Sequence, residues 1–174
     1  MYNSAVICHD LSVAAYGLEE LVKTLIELGA EVNVINSIEW NPLHEACHRG
    51  YAGIAALLIQ AGAELQKLCP PFPMAPLPAQ YPLAEAARQG NVEVVKLLLK
   101  HGADGSITNK SGATALQSVS GPLESVMPIY EYLEKTFAPL GLVIDYAQLK
   151  EARNTIAVML QNLDNPPESG ITDL

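Results

Sequence analysis

A short phrase returns along this chain at a nearly constant interval, and no other feature limits its possible folds as tightly. Gly29-Ala30-Glu31 recurs as Gly62-Ala63-Glu64 after 33 residues, and as Gly102-Ala103-Asp104 after a further 40. An apolar run precedes each copy, at 21–26, 54–59 and 94–99. A second phrase, Pro42-Leu43-His44-Glu45-Ala46-Cys47-His48-Arg49-Gly50, is matched by Pro82-Leu83-Ala84-Glu85-Ala86-Ala87-Arg88-Gln89-Gly90, and Gly112-Ala113-Thr114-Ala115-Leu116 follows the Pro82 copy at the 33-residue interval. A period of this size means supersecondary units that bury their apolar faces on one another. Pro42 and Pro82 stand where a helix starts, since a first-turn N–H has no intrahelical partner to lose. A glycine closes each predicted helix, where a left-handed residue satisfies the last carbonyls. The predicted helices 18–28, 51–61 and 92–100 are apolar around much of their circumference, so each needs neighbours on more than one side.

These phrases resemble the ankyrin repeat: a short turn, Thr-Pro-Leu-His opening a first helix, a glycine, a Leu-rich second helix, then Gly-Ala-Asp. Residues 91–104, Asn-Val-Glu-Val-Val-Lys-Leu-Leu-Leu-Lys-His-Gly-Ala-Asp, come nearest to that pattern. The resemblance implies a mainly α ankyrin-repeat solenoid with turn or hairpin loops between helix pairs. Four repeats are expected over 1–141, at about 3–35, 36–68, 76–108 and 109–140. A Pro-rich insertion at 69–78 accounts for the seven extra residues between the second and third. In the first repeat Cys8-His9-Asp10-Leu11 replaces Thr-Pro-Leu-His and reads as an N-terminal cap, because terminal repeats are atypical. In the fourth, 123–137 reads as the second helix, with Pro128 kinking it or marking its true start. Beyond Gly141 the pattern stops. Asp145 is placed to cap a helix running to about Asn162, with Leu149, Ala152, Ile156, Leu160 and Leu163 on one stripe. Residues 142–163 are expected to seal the end of the stack, and 164–174 to be a disordered tail.

Composition removes several function classes. Nineteen acids against ten bases leave a net charge of −9, which opposes binding to the phosphates of nucleic acid or to an anionic membrane surface. No apolar run approaches the roughly 18 residues of a membrane span. Three cysteines in 174 residues are too few for a disulfide framework. With no basic, apolar leader at the N-terminus, the expected location is intracellular, in cytoplasm or nucleus.

Each chemical motif has a structural alternative. His44-Glu45-Ala46-Cys47-His48 matches the zinc-protease pattern, in which two histidines one helical turn apart bind zinc and the glutamate acts as base. The repeat register already accounts for Leu43, His44 and Ala46, and Gly50 ends the helix after about two turns, so the match is read as coincidence. Lys67 followed by Pro70-Pro71-Phe72-Pro73 fits a polyproline ligand but is read as a stiff loop. Cys47 takes the place of a small core alanine. No catalytic residue, metal or cofactor is expected, and the chain is not read as an enzyme.

The function that the resemblance implies is protein binding through the concave face and turn tips, by a monomer that needs no cofactor. Mapped on the family, the contact residues are Ser37, Ile38, Trp40, His48 and Arg49 of repeat two, Leu77, Gln80, Arg88 and Gln89 of repeat three, and Lys110, Ser111 and Ala113 of repeat four. Trp40, the lone tryptophan, is expected to be an exposed anchor beside two arginines, as interface hot spots commonly are. Two narrower roles fit the same fold: a stoichiometric protein-kinase inhibitor, and a secreted bacterial effector that binds host proteins.

Overall fold

The computed structural model describes residues 14, 16–36, 39–69, 80–122, 127–137 and 143–164. Eight α-helices lie in these stretches: α1 (Glu19–Glu27), α2 (Pro42–Arg49), α3 (Ala52–Gln60), α4 (Pro82–Arg88), α5 (Val92–Lys100), α6 (Ala115–Ser120), α7 (Met127–Phe137) and α8 (Tyr146–Asp164). Helices α2, α4 and α6 stack as an inner row, and α1, α3, α5 and α8 as an outer row. The core lies between the rows: Leu43, Ala46, Leu83, Ala86, Ala87 and Ala115 from inside, and Val22, Ile54, Leu58, Val94, Val95, Leu98 and Ile156 from outside. Small residues on the inner helices let the rows approach closely. Branched and Leu side chains on the outer helices fill the space between them.

The starts and stops of the helices follow their sequences. Asn41 caps α2 by accepting from the His44 N–H at 2.8 Å, with Pro42 at the first position. Thr114 caps α6 in a reciprocal box with Gln117. Asp145 caps α8 as expected, its Oδ1 accepting from Gln148 N–H at 2.9 Å.

Narrow turns precede the inner helices. Asn36 N–H donates to the Trp40 carbonyl at 2.8 Å, and Asn109 N–H to the Ala113 carbonyl at 2.9 Å. In the third repeat Cys69 and Gln80 pair through both backbone groups at 3.0 Å. Trp40, Gln80 and Ala113 are therefore equivalent, and the seven extra residues fall inside a turn tip. The Pro-rich residues 70–79 lie outside the described residues, as do the expected N-terminal cap at 8–11 and the tail 165–174.

One expectation gives way in the fourth repeat. The second helix that pairs with α6 and stacks on α5 is α8, not 123–137. Two glycines locate it. Gly50 closes α2 at φ 77°, and a Cβ there would meet Asn91 Oδ1 at 2.6 Å; Gly90, at the same φ, would meet Leu149 Cδ1 at 3.0 Å and Ala152 Cβ at 3.2 Å. Leu149 thus covers the third repeat's glycine as Asn91 covers the second's. Further on, Leu163 and Leu160 reach Gly105, beyond the end of α5. So α8 runs alongside α5 in the same direction, in the place of an outer helix. Helix α7 is an insertion between inner and outer helix, with Pro128 in its first turn, where proline is tolerated. Residues 123–126 of the expected longer helix lie outside the described residues.

Buried Arg153 on α8 was not among the expected contacts. Its guanidinium donates to the carbonyls of Arg88 at 3.2 Å, Ser118 at 3.3 Å and Val119 at 3.4 Å. Tyr130 of α7 donates to the same Arg88 carbonyl at 3.0 Å. Together they satisfy helix-end carbonyls that would otherwise be orphaned. Asn91 does the same for α2, donating to the carbonyls of Cys47 at 2.7 Å and His48 at 3.2 Å.

Candidate functional site: the inner-helix face

Two layers of polar side chains run along the inner helices, one buried near the turns and one partly open at the far ends. In the buried layer His44 Nε2–H donates to the Gln80 carbonyl at 3.1 Å. That leaves Nδ1 as an acceptor for the Cys69 thiol at 3.1 Å, and its 2.9 Å approach to Asn41 Oδ1 is a contact between two acceptors, not a hydrogen bond. Burial holds His44 down at about 4, against the smaller opposing pull of the Gln80 carbonyl and the Glu85 charge, so the ring is neutral near pH 7. Asn109 Nδ2 donates to the Gln80 side chain at 3.3 Å and carries the network to the next turn.

The second layer joins neighbouring repeats. His48 Nδ1–H donates to Glu85 Oε1 at 2.7 Å, and Arg88 and Gln89 donate to the same oxygen. Because Nδ1 carries that proton, the 2.8 Å approach of Gln89 Nε2 to it is a contact between two donors, not a further hydrogen bond. Glu85 is buried, which raises a carboxyl, but the His48 hydrogen bond, the Arg88 charge and the Gln89 amide outweigh burial and hold it down at about 2. Arg49 remains exposed beside Glu45, its Nε 3.6 Å from Oε2.

The expected contact residues divide accordingly. His48, Arg88 and Gln89 come together, with Arg49 at the end of the same helix as His48. Lys110 and Ser111 are exposed at the fourth turn, where Asn109 Oδ1 accepts from the Ser111 hydroxyl at 2.7 Å. Trp40 is corrected: it is 4% exposed, not an open anchor. Its ring packs on α2, edge-on to His48 with centroids 5.3 Å apart and tilted over His44 at 6.3 Å. A residue directly before the N-cap faces back over the first turns of its own helix. Gln80, at the equivalent position, is corrected for the same reason and is 6% exposed. Ser37, Ile38 and Leu77 lie outside the described residues. Glu85 is the residue that sequence reading undervalued. Only the equivalence of its phrase to that of Glu45 marks it in the sequence.

The histidines of the zinc-protease match do not converge. Both nitrogens of His44 face buried partners, His48 turns to Glu85, and Glu45 turns to Arg49. Among the described residues no three His, Cys, Asp or Glu side chains are grouped to hold a metal ion. Nor is any described helix long and apolar enough to cross a membrane. Cys47 is fully buried, and burial raises its thiol well above the usual range.

Comparison with known proteins agrees with this architecture. A family model described as ankyrin repeats in many copies matches residues 8–59 and 83–121. A human SMC5-SMC6 complex localization factor protein 1 is 29% identical over 152 residues, covering 83% of this chain and 14% of that protein. Human BCL-6 corepressor-like protein 1 is 30% identical over 108 residues, covering 62% and 6%. Human protein phosphatase 1 regulatory subunit 27 is 44% identical over 45 residues, covering 26% and 29%. The chain spans less than a third of the length of each of these relatives. Ankyrin repeats are protein–protein interaction modules, and the family match, extending over more than half of this chain, agrees with the paired helical rows: the chain belongs to the ankyrin-repeat family.

Proposed function

We propose that the chain binds another protein across the ends of its inner helices and the tip of its fourth turn, through His48, Arg49, Arg88, Gln89, Lys110 and Ser111. The observation that carries this is the His48–Glu85–Arg88–Gln89 cluster. It ties two repeats together and leaves His48 and its neighbours partly open. Trp40 serves beneath it as the platform that orients His48. Side chains held by the stack lose little ordering entropy on binding. Arg49 and Lys110 are exposed cations in a chain of net charge −9, so they favour a partner segment that carries carboxylates, with charge steering at the rim. The reading is of a monomer inside the cell that acts by binding, without catalysis and without a cofactor.

Affinity purification with the full chain as bait, followed by titration of the captured partner, tests this. Arg49→Glu combined with Lys110→Glu should weaken binding about tenfold, mainly through slower association and with a reduced salt dependence. Thermal unfolding should stay near wild type, because both side chains are exposed. Unchanged affinity in the double variant would place the interface elsewhere on the stack.

A further inference from the structure

His48 is held by one ring nitrogen and open at the other. Nδ1–H donates to Glu85 Oε1 at 2.7 Å, and that carboxylate is buried, while the His48 side chain keeps 30% of its surface exposed. The two nitrogens of an imidazole point in diverging directions, so a ring anchored inward through Nδ1 turns Nε2 outward. Among the described residues none bonds Nε2. The Trp40 ring, edge-on with centroids 5.3 Å apart, fixes the imidazole plane. The bond at one nitrogen decides which state the other can take, and here it leaves Nε2 free to be a bare acceptor or, protonated, a donor.

The charges around the ring balance while it is neutral. On α4, Glu85 pairs with Arg88, which is a cation at every pH. On α2, Glu45 lies beside Arg49. Helix α3, packed on the other side of α2, carries no charged residue, and His44, one turn back, faces inward to Gln80 and Cys69. One proton on Nε2 therefore adds a positive charge that no neighbour cancels, at the open edge of the face. His48 and Arg88 hold equivalent places in the two copies of the Pro-Leu phrase. Repeat three has a permanent cation there and repeat two a conditional one.

We infer that His48 makes recognition at the inner-helix face pH-dependent: its protonated Nε2–H donates to a carboxylate of the partner segment, and binding tightens as pH falls. This rests on the inner-helix face being the binding surface, and adds the atom that makes the contact and the condition under which it forms. The sign comes from linkage. A carboxylate on Nε2 favours the protonated ring, so binding takes up a proton, and an equilibrium that takes up a proton strengthens at lower pH. Imidazoles change charge between about pH 5 and 8, whereas Asp and Glu of a partner stay ionised down to about 4.5.

The probe is a synthetic oligo-glutamate peptide, ionised at both pH 8 and pH 6. It is titrated against the full chain by isothermal calorimetry at each pH, in two buffers of different ionisation enthalpy. The wild type should bind about fivefold more tightly at pH 6, with net proton uptake near pH 7. His48→Asn keeps an amide nitrogen where Nδ1 donates to Glu85 but has no Nε2. It should fold, bind alike at both pH values and take up no proton. His101→Gln removes an exposed imidazole from the end of α5 and should keep the wild-type pH dependence. Ring ¹⁵N spectra of the wild type need no variant: the peptide should move His48 Nε2 toward its protonated position. Equal wild-type affinity at the two pH values, an Nε2 that ignores the peptide, or a pH dependence that survives in His48→Asn would overturn the inference. Absence of binding at both pH values would overturn it together with the acidic partner. If Arg49→Glu with Lys110→Glu weakens binding at both pH values while the wild type is indifferent to pH, the binding face stands and His48 is removed from it.

Discussion

Trp40 shows how one position can misdirect a reading of composition. A single tryptophan near two arginines suggests an interface anchor, but its place immediately before the Asn41 cap turns the ring back over α2, onto His44 and His48. The consequence is a stability role. Truncating a buried Trp removes its transfer free energy and leaves a cavity, so Trp40→Ala should cost about 3–5 kcal/mol, read as a lower urea midpoint at unchanged m-value. Wild-type stability in that variant would return Trp40 to the interface. His44 and Glu85 carry a second consequence, in pH. As pH falls below 6.5 the unfolded chain takes up a proton at His44, while the folded ring stays neutral until about 4. Its contribution is therefore full above 6.5 and is lost as pH falls toward 4, by about 3 kcal/mol at most. Glu85 continues the trend lower down: its folded value of about 2 lies below the ordinary 4.5, so its contribution is present above 4.5 and lost as pH falls toward 2. Urea midpoints measured from pH 7 to pH 2.5 should fall through both windows. Glu85→Gln should flatten the lower window and leave the upper slope in place.

Helices α7 and α8 exchange the parts that their order along the chain suggests. A second helix normally follows its inner helix after two or three residues, as α3 follows α2 and α5 follows α4. On that pattern 123–137 is the natural partner for α6. Yet α8 provides Leu149, Ile156 and Leu160 as a continuous buried stripe and Arg153 to close three carbonyls. The described contacts of α7 are smaller: Tyr130 on the Arg88 carbonyl, and Glu134 accepting from Tyr146 at 2.8 Å and from the Ile144 N–H at 3.4 Å. Apolar area outweighs proximity in sequence, because lengthening a loop adds only about 0.6 kcal/mol per doubling. Replacing 123–143 by a short Gly/Ser linker should therefore leave a folded stack, weakened by about 1 kcal/mol for the lost Tyr130 bond. Circular dichroism and a melting curve check this. Loss of the cooperative transition would mean that α7 belongs to the stack.

At the scale of the molecule, the period alone determined that the chain is a solenoid of helix pairs, along with the proline starts, the glycine stops and the apolar runs of its outer helices. Those properties rest on local rules: proline at a first turn, glycine at a last one, Leu and Val at helical spacing. Each acts within a few residues, and a repeat states each of them more than once. The position of the seven-residue insertion was legible for the same reason, since a break in a period reports its own length. Tertiary structure alone decided which helix completes the fourth repeat, whether Trp40 faces water, and that Glu85 is a buried hub instead of a solvated acid. Each of these depends on what lies across the next repeat, where Glu85 meets His48, Arg153 meets Arg88 and Leu149 meets Gly90. Such contacts join residues dozens of positions apart, and their free energy comes from excluding water between surfaces that only stacking brings together.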